Sequence, residues 1–209
     1  MPANRFDTAA AGWDAKDQRR ELAAAVAAGI AELPLRPEMK GLEYGCGTGL
    51  VGLALAPRLL SLTACDSSPG MLQTLAGKIT TAGITNVSPL LLDLHHENCP
   101  GHFDLVFSAM TLHHLAEVET VLGRLVSAVK LGGLLALADL DREDGSFHGD
   151  NPEGVIHHGF DRDWLADLLT RQGCGGIAVR TVHTVVKPDA MGNPRPYPVF
   201  LLTASRQTP

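Results

Sequence analysis

At 209 residues, with 45% hydrophobic and 19% charged residues, the chain can bury the core of one ordinary domain, and this composition excludes a disordered or fibrous protein. The formal net charge of −6, with no cluster of Lys or Arg anywhere, argues against a nucleic-acid partner and favours a small or neutral one.

The predicted elements then follow in order. From Asp14 to Leu33 the residues Leu22, Val26, Ile30 and Leu33 recur at helical spacing amid Ala, and Pro34 and Pro37 end the run, so residues 1–38 read as a helical leader. Apolar Leu42 to Tyr44, a glycine loop, helical Leu50 to Leu60, apolar Leu62 to Cys65 and helical Gly70 to Ala82 come next. Such alternation predicts a parallel sheet with crossover helices. Val87 to Leu92 and Phe103 to Ser108 read as third and fourth strands. Glu117 to Val129 reads as a helix stopped by Gly132 and Gly133, and Leu134 to Ala138 as a fifth strand. Asp161 is placed to cap a helix carrying Trp164, Leu165, Leu168 and Leu169. Ile177 to Val186 and Val199 to Ala204, joined without a helix, should pair as an antiparallel hairpin.

Cys46, Cys65, Cys99 and Cys174 are widely spaced with no C-x-x-C pair, which suggests neither a disulfide framework nor a zinc site. The N-terminus lacks the apolar core of a signal peptide, and no apolar run approaches the ~20 residues needed to span a bilayer. The expectation is a cytoplasmic protein with no membrane partner, acting as a monomer or homodimer.

The chemistry concentrates in Glu43-Tyr44-Gly45-Cys46-Gly47-Thr48-Gly49, between a predicted strand and a predicted helix. Bare glycine backbone there lets a ligand approach, and free N–H groups face it. Asp66 ends the second strand about twenty residues beyond the first glycine, where a carboxylate can accept both hydroxyls of a ribose. The alternative is a cap on the next helix, since Asp66, Ser67 and Ser68 precede Pro69. Gly47-Thr48-Gly49-Leu50-Val51-Gly52 also satisfies the dinucleotide pattern G-x-G-x-x-G. Glu43, however, sets a charge where a pyrophosphate would sit, which favours a cationic ligand.

With that loop, Asp66-Ser67-Ser68-Pro69-Gly70-Met71-Leu72, Asp93 and Ser108-Ala109-Met110-Thr111-Leu112-His113-His114, the chain resembles the class I S-adenosylmethionine (SAM)-dependent methyltransferases. It is most similar to the subgroup of ubiquinone- and menaquinone-biosynthesis enzymes, strongly over about residues 40 to 140. The resemblance implies an α/β, Rossmann-like, doubly wound seven-stranded sheet of order 3-2-1-4-5-7-6 with strand 7 antiparallel. One domain would then span residues 1–209, with residues 141–160 covering the substrate. It further implies that Gly45 to Gly49 hold the methionine part of SAM, that Asp66 and Ser67 lie at the ribose and that Met71 packs near the adenosine. Asp93 and Leu94 would match the adenine amine, and Ser108 and Ala109 would lie beside the sulfur. SAM carries an ammonium and a sulfonium, which suits Glu43. The expected activity is methyl transfer to a small organic molecule. The alternatives are a nicotinamide-dependent oxidoreductase and a SAM-binding protein without catalysis. The Asn/Asp-Pro-Pro-aromatic motif of the enzymes that methylate nucleic-acid and protein nitrogens is absent after the fourth strand, which disfavours base and amide acceptors.

For a hydroxyl acceptor a proton must leave, and histidine suits that task. His113 and His114 follow the fourth strand at the expected site mouth. His148, His157 and His158 lie in the covering segment, while His95 and His96 beside Glu97 read as packing or surface residues. The acidic run Asp139 to His148 could be read as a metal site, but solvated acidic loops are commoner, so no metal is expected. Trp13 and Arg19 are candidates to close over the cofactor, or simply to pack the first helix on the core.

Overall fold

The computed structural model describes residues 5–149, 153–189 and 192–207. Seven strands form one sheet: β1 (Lys40–Tyr44), β2 (Ser61–Asp66), β3 (Val87–Leu91), β4 (Phe103–Ala109), β5 (Val129–Leu140), β6 (Cys174–Pro188) and β7 (Pro194–Arg206). Their order is 3-2-1-4-5-7-6. The first five pair in parallel, and β7 runs antiparallel to both β5 and β6. This is the doubly wound architecture expected from the sequence. The helices are α1 (Arg5–Ala9), α2 (Asp17–Ala31), α3 (Leu50–Leu55), α4 (Pro69–Ala82), α5 (Val118–Ala128) and α6 (Arg162–Arg171). Among the described residues, no helix is long and apolar enough to cross a membrane.

Side chains alternate between two layers, as strand geometry requires. Leu135 and Leu137 of β5 join Val106, Phe200 and Leu202 in a core with Leu122 and Leu125 of α5 and Leu165 and Leu169 of α6. Ala136 and Ala138 face the other way, with Leu105, Phe107 and Leu201, against Val26 and Ile30 of α2, Leu55 of α3 and Leu75 of α4. Strands apolar on both faces are what a sheet covered on both sides needs.

Several boundaries differ from expectation for local reasons. The first helix begins at Asp17, after a 3-10 turn over Ala10–Ala15. The helix after the glycine loop tightens to a 3-10 turn at Ala56–Arg58, because Pro57 has no N–H to continue α-helical bonding. Gly132 and Gly133 do not cap α5, which ends at Ala128. They lie within β5, where the pairing with β4 jumps from Phe103–Val129 to Leu105–Leu134. Gly132 sits at φ 73°, and a Cβ on Gly133 would lie 2.9 Å from both Lys130 O and Val129 Cγ1. The glycines therefore permit a bulge. The cap at α6 follows the sequence reading, with the Asp161 side chain accepting from the Trp164 N–H at 2.9 Å.

Strand order reverses between β1 and β4, so the crossovers leave on opposite faces and a crevice opens at the carboxyl ends. Register brings those ends to one level: Tyr44 lies opposite Cys65 on β2 and Ser108 on β4, and Ala109 opposite Ala138 on β5.

Candidate active site

A cavity of about 350 Å³ occupies this crevice, within the size range of small-molecule sites. Glu43, Tyr44, Gly45, Cys46, Gly47 and Thr48 line it. A Cβ on Gly45 (φ 71°) would fall 2.1 Å from Thr111 Oγ1, so this turn closes directly onto the loop after β4. At Gly47 (φ 52°) an added Cβ would meet only Met71 Sδ, at 3.9 Å, which leaves open backbone for a ligand to approach. Gly49 lies outside the lining, at the start of α3, where its bare Cα makes room for Leu75.

Glu43 is only 2% exposed, and its Oε2 has no hydrogen-bond partner. Burial, with a smaller contribution from the charge on Asp66, pushes its carboxyl up to about 8. An orphaned carboxyl oxygen in a cavity wall fits a cationic ligand group. The same atom explains Gly52, whose added Cβ would lie 2.1 Å from it.

Asp66, Ser67, Met71 and Asp93 also line the cavity. Asp66 does not cap α4; the Ser68 hydroxyl does, accepting from the Met71 N–H at 3.2 Å. Asp66 instead accepts the Gly47 N–H at Oδ2 and the Ser68 N–H at Oδ1, both at 2.8 Å. It thereby joins the end of β2 to the glycine loop while still facing the cavity. Burial raises its pKa. Leu94 and Ser108 lie outside the lining: the Leu94 N–H donates to the Tyr44 hydroxyl at 3.4 Å, and the Ser108 hydroxyl donates to the Tyr44 carbonyl at 2.8 Å. Both support the end of β1. Ala109 does line the cavity. Next to it, Met110 has φ 54°, the one positive value at a non-glycine among the described residues. Strain of this kind persists where the surroundings over-determine the backbone.

The histidines separate into two groups. His113 is 1% exposed, and its Nδ1 lies 2.6 Å from Oδ1 of Asp139, which is 0% exposed. His148 Nε2 lies 3.3 Å from His113 Nε2, and the His113 and His114 ring centroids are 4.0 Å apart. His114 alone of the three lines the cavity. Burial, with the adjacent His113, depresses both His114 and His148 to about 3, so both are neutral at ordinary pH. His157 turns away to the Leu115 carbonyl at 2.9 Å. His158 is exposed beside Gly145, away from the lining. His95 lines the cavity next to Asp93, with which it shares a 2.9 Å contact.

In the acidic run after β5 the carboxylates have structural partners. Asp141 takes a two-pronged ion pair from Arg162 at 2.6 and 2.7 Å, Asp144 pairs with Arg195, and Glu143 accepts from the Gly145 and Phe147 N–H groups. Gly154 is the lining residue of the 141–160 segment, within which residues 150–152 lie outside those described. At the other end, Trp13 and Arg19 line the cavity, with the guanidinium 3.6 Å from the indole centroid. Two carboxylates strap this segment down. Asp14 accepts from the Thr48 hydroxyl, and Asp7 accepts from the Ser68 hydroxyl, both at 2.5 Å. Phe6, Leu22, Val26, Thr111 and Leu115 line the site without having been expected there from the sequence. The α2 residues carry the same apolar signal as core, so nothing in their spacing marks them as lining.

Residues 42–133 match the family described as "Methyltransferase domain". The chain is 34% identical over 145 residues to the biotin biosynthesis bifunctional protein BioCD of Bordetella avium, a match covering 68% of this chain and 30% of that protein. The curated relatives that follow are covered to about half their length. Among solved structures, a Haloferax volcanii complex of the Trm112 methyltransferase activator with a methyltransferase contains a chain similar in fold to this one. Its TM-score is 0.80 at 15% identity, over 100% of both chains. The magnesium protoporphyrin IX methyltransferase of Synechocystis PCC 6803, solved with bound SAH, gives 0.65 at 19% identity, covering 91% of this chain and 84% of its own. Fold and family match agree: residues 42–133, which carry the glycine loop and most of the cavity lining, are similar to a methyltransferase domain and sit in a sheet of the order given above.

Proposed function

We propose that the protein transfers a methyl group from SAM to a small organic acceptor bound under the segment 141–160. The observation that carries this reading is the buried, unpartnered Glu43 Oε2 in a cavity that Asp66 also lines, from the adjacent strand. Glu43 suits an ammonium, and Asp66 a pair of ribose hydroxyls. Gly47 leaves its backbone open between them. Bound there, SAM supplies an electrophilic methyl group on a sulfonium, open to in-line displacement.

The protein's own contribution is chiefly placement and exclusion of water. Phe6 and Trp13 line the cavity on a segment fastened by the carboxylates of Asp7 and Asp14. Ala109, which with Ser108 the resemblance sets beside the reacting sulfur, lines the cavity together with Met110 and Thr111. For a hydroxyl acceptor, His114 is the imidazole that reaches the cavity; burial holds it neutral, and with its pKa depressed to about 3 it orients the hydroxyl rather than keeping its proton. Leu94 and Ser108 act indirectly, through Tyr44.

Calorimetric titration tests the cofactor. SAM and its demethylated product should bind one to one and raise the melting temperature, whereas NAD should do neither. Binding of NAD without SAM would reverse the reading in favour of an oxidoreductase. Release of demethylated product in the presence of an acceptor separates an enzyme from a mere binder.

A further inference from the structure

We infer that His113, His114 and His148 form a three-imidazole site for a divalent transition-metal ion, of which zinc is the type, with its remaining coordination position available to water or to a heteroatom of the bound acceptor. Each of the three offers a ring nitrogen, and these atoms all lie within 4.8 Å of one another. This is the one such group among the described residues.

The hydrogen bonds on the outer side of the cluster decide which atoms face inward. Asp139 already accepts the Leu140 N–H at Oδ1 (2.7 Å) and the His113 N–H at Oδ2 (3.3 Å), so it is an acceptor and His113 Nδ1 donates to it. That fixes the tautomer with a lone pair on His113 Nε2. His114 Nδ1 donates to the Gly154 carbonyl at 2.7 Å, which likewise leaves the lone pair on Nε2. Pinning one ring nitrogen to a carboxylate or carbonyl is how metal-binding histidines are oriented, and it raises their basicity as ligands.

The spacing fits as well. Two nitrogens bound to one tetrahedral ion at 2.0–2.1 Å lie about 3.3–3.4 Å apart, and His148 Nε2 stands 3.3 Å from His113 Nε2. Three imidazoles with one carboxylate behind them and no cysteine nearby suit zinc, nickel, cobalt or copper better than magnesium or calcium. The cluster touches the cavity through His114. An ion held there would therefore lower the pKa of a hydroxyl or thiol acceptor that entered its open position. The site itself stands on the histidine geometry and does not depend on SAM.

The test uses the full chain, stripped with a chelator and kept free of SAM. Zinc is titrated against a chromophoric competitor, and cobalt(II) is followed by its visible absorption, which is intense for tetrahedral coordination. One ion per chain is expected, with tetrahedral cobalt bands. His148→Ala should weaken zinc binding at least about tenfold and abolish those bands. Asp139→Asn, acting on His113 from behind, should weaken binding by about 10- to 100-fold. His96→Ala, on the exposed loop, should change neither. Circular dichroism melts identify any variant that has unfolded, and His148→Ala, in a short turn outside the sheet, guards against that outcome at buried Asp139. No stoichiometric binding by the folded wild type would overturn the site, as would loss in His96→Ala with retention in His148→Ala. SAM titrated into the same stripped protein reports on the cofactor reading separately.

Discussion

Glu43 and Asp66 face one cavity from adjacent strands, yet the structure asks different things of them. Glu43 keeps an oxygen with no partner, whereas Asp66 is already held by two backbone N–H groups. Replacing Asp66 by Ala should weaken SAM binding by about 1–3 kcal/mol, since ribose hydroxyls would lose a buried charged acceptor. Asp66→Asn keeps the shape and one acceptor, and should fall between. Equal affinity in wild type and Asp66→Ala, read by calorimetry, would reduce Asp66 to a fastener of the glycine loop. His114→Gln removes the one imidazole of the cluster that faces the cavity and should lower turnover on a hydroxyl acceptor with SAM affinity intact, and unchanged turnover at saturating SAM would mean that the cluster takes no part in the reaction. The glycine loop stood out in the sequence because its chemistry is contiguous, and Glu43 to Thr48 of it line the cavity while Gly49 does not. The histidine cluster was legible only in part. His113 and His114 announce themselves after β4, but their partners Asp139 and His148 come from the end of β5 and the turn beyond it, and no spacing in the sequence brings those together.

Elements were legible where a pattern has a single physical meaning. The G-x-G-x-G turn after an apolar run, the Asp161 cap and the terminal hairpin each do. Glycine at 132 and 133 has two meanings, helix stop and strand bulge, and tertiary pairing with β4 chose the second. Two element-level outcomes follow. Asp161→Ala removes the side-chain acceptor for the Trp164 N–H and should cost about 1 kcal/mol of stability, measured by urea unfolding; a midpoint that does not move would mean water replaces the cap without loss. Gly45→Ala places a methyl group 2.1 Å from Thr111 Oγ1 at φ 71°. It should both destabilise the fold and weaken SAM binding, because β1 and the loop after β4 would be forced apart at the cavity floor.

Over the whole molecule, the buried acid of the cavity couples cofactor binding to pH. Glu43 titrates near 4.5 when unfolded and near 8 in the folded chain, raised first by burial and then by Asp66. Between those values the native state keeps a proton that the unfolded state has lost, so stability without ligand should fall as pH rises through that window. Asp66, also raised by burial, acts in the same direction from its own lower starting point. An ammonium set against Glu43 favours the ionised form, so SAM should bind more tightly as pH rises from about 5 to 7, a range in which an α-ammonium stays protonated. Binding should then release protons. Calorimetry at one pH in two buffers of different ionisation enthalpy counts those protons. Glu43→Gln offers the control: with nothing to ionise, proton release should vanish and the affinity curve flatten over the same range, while overall affinity drops. A wild-type protein whose SAM affinity is level from pH 5 to 7 and whose binding releases no proton would place the ammonium elsewhere in the cavity, and the lone carboxyl oxygen would then need another partner.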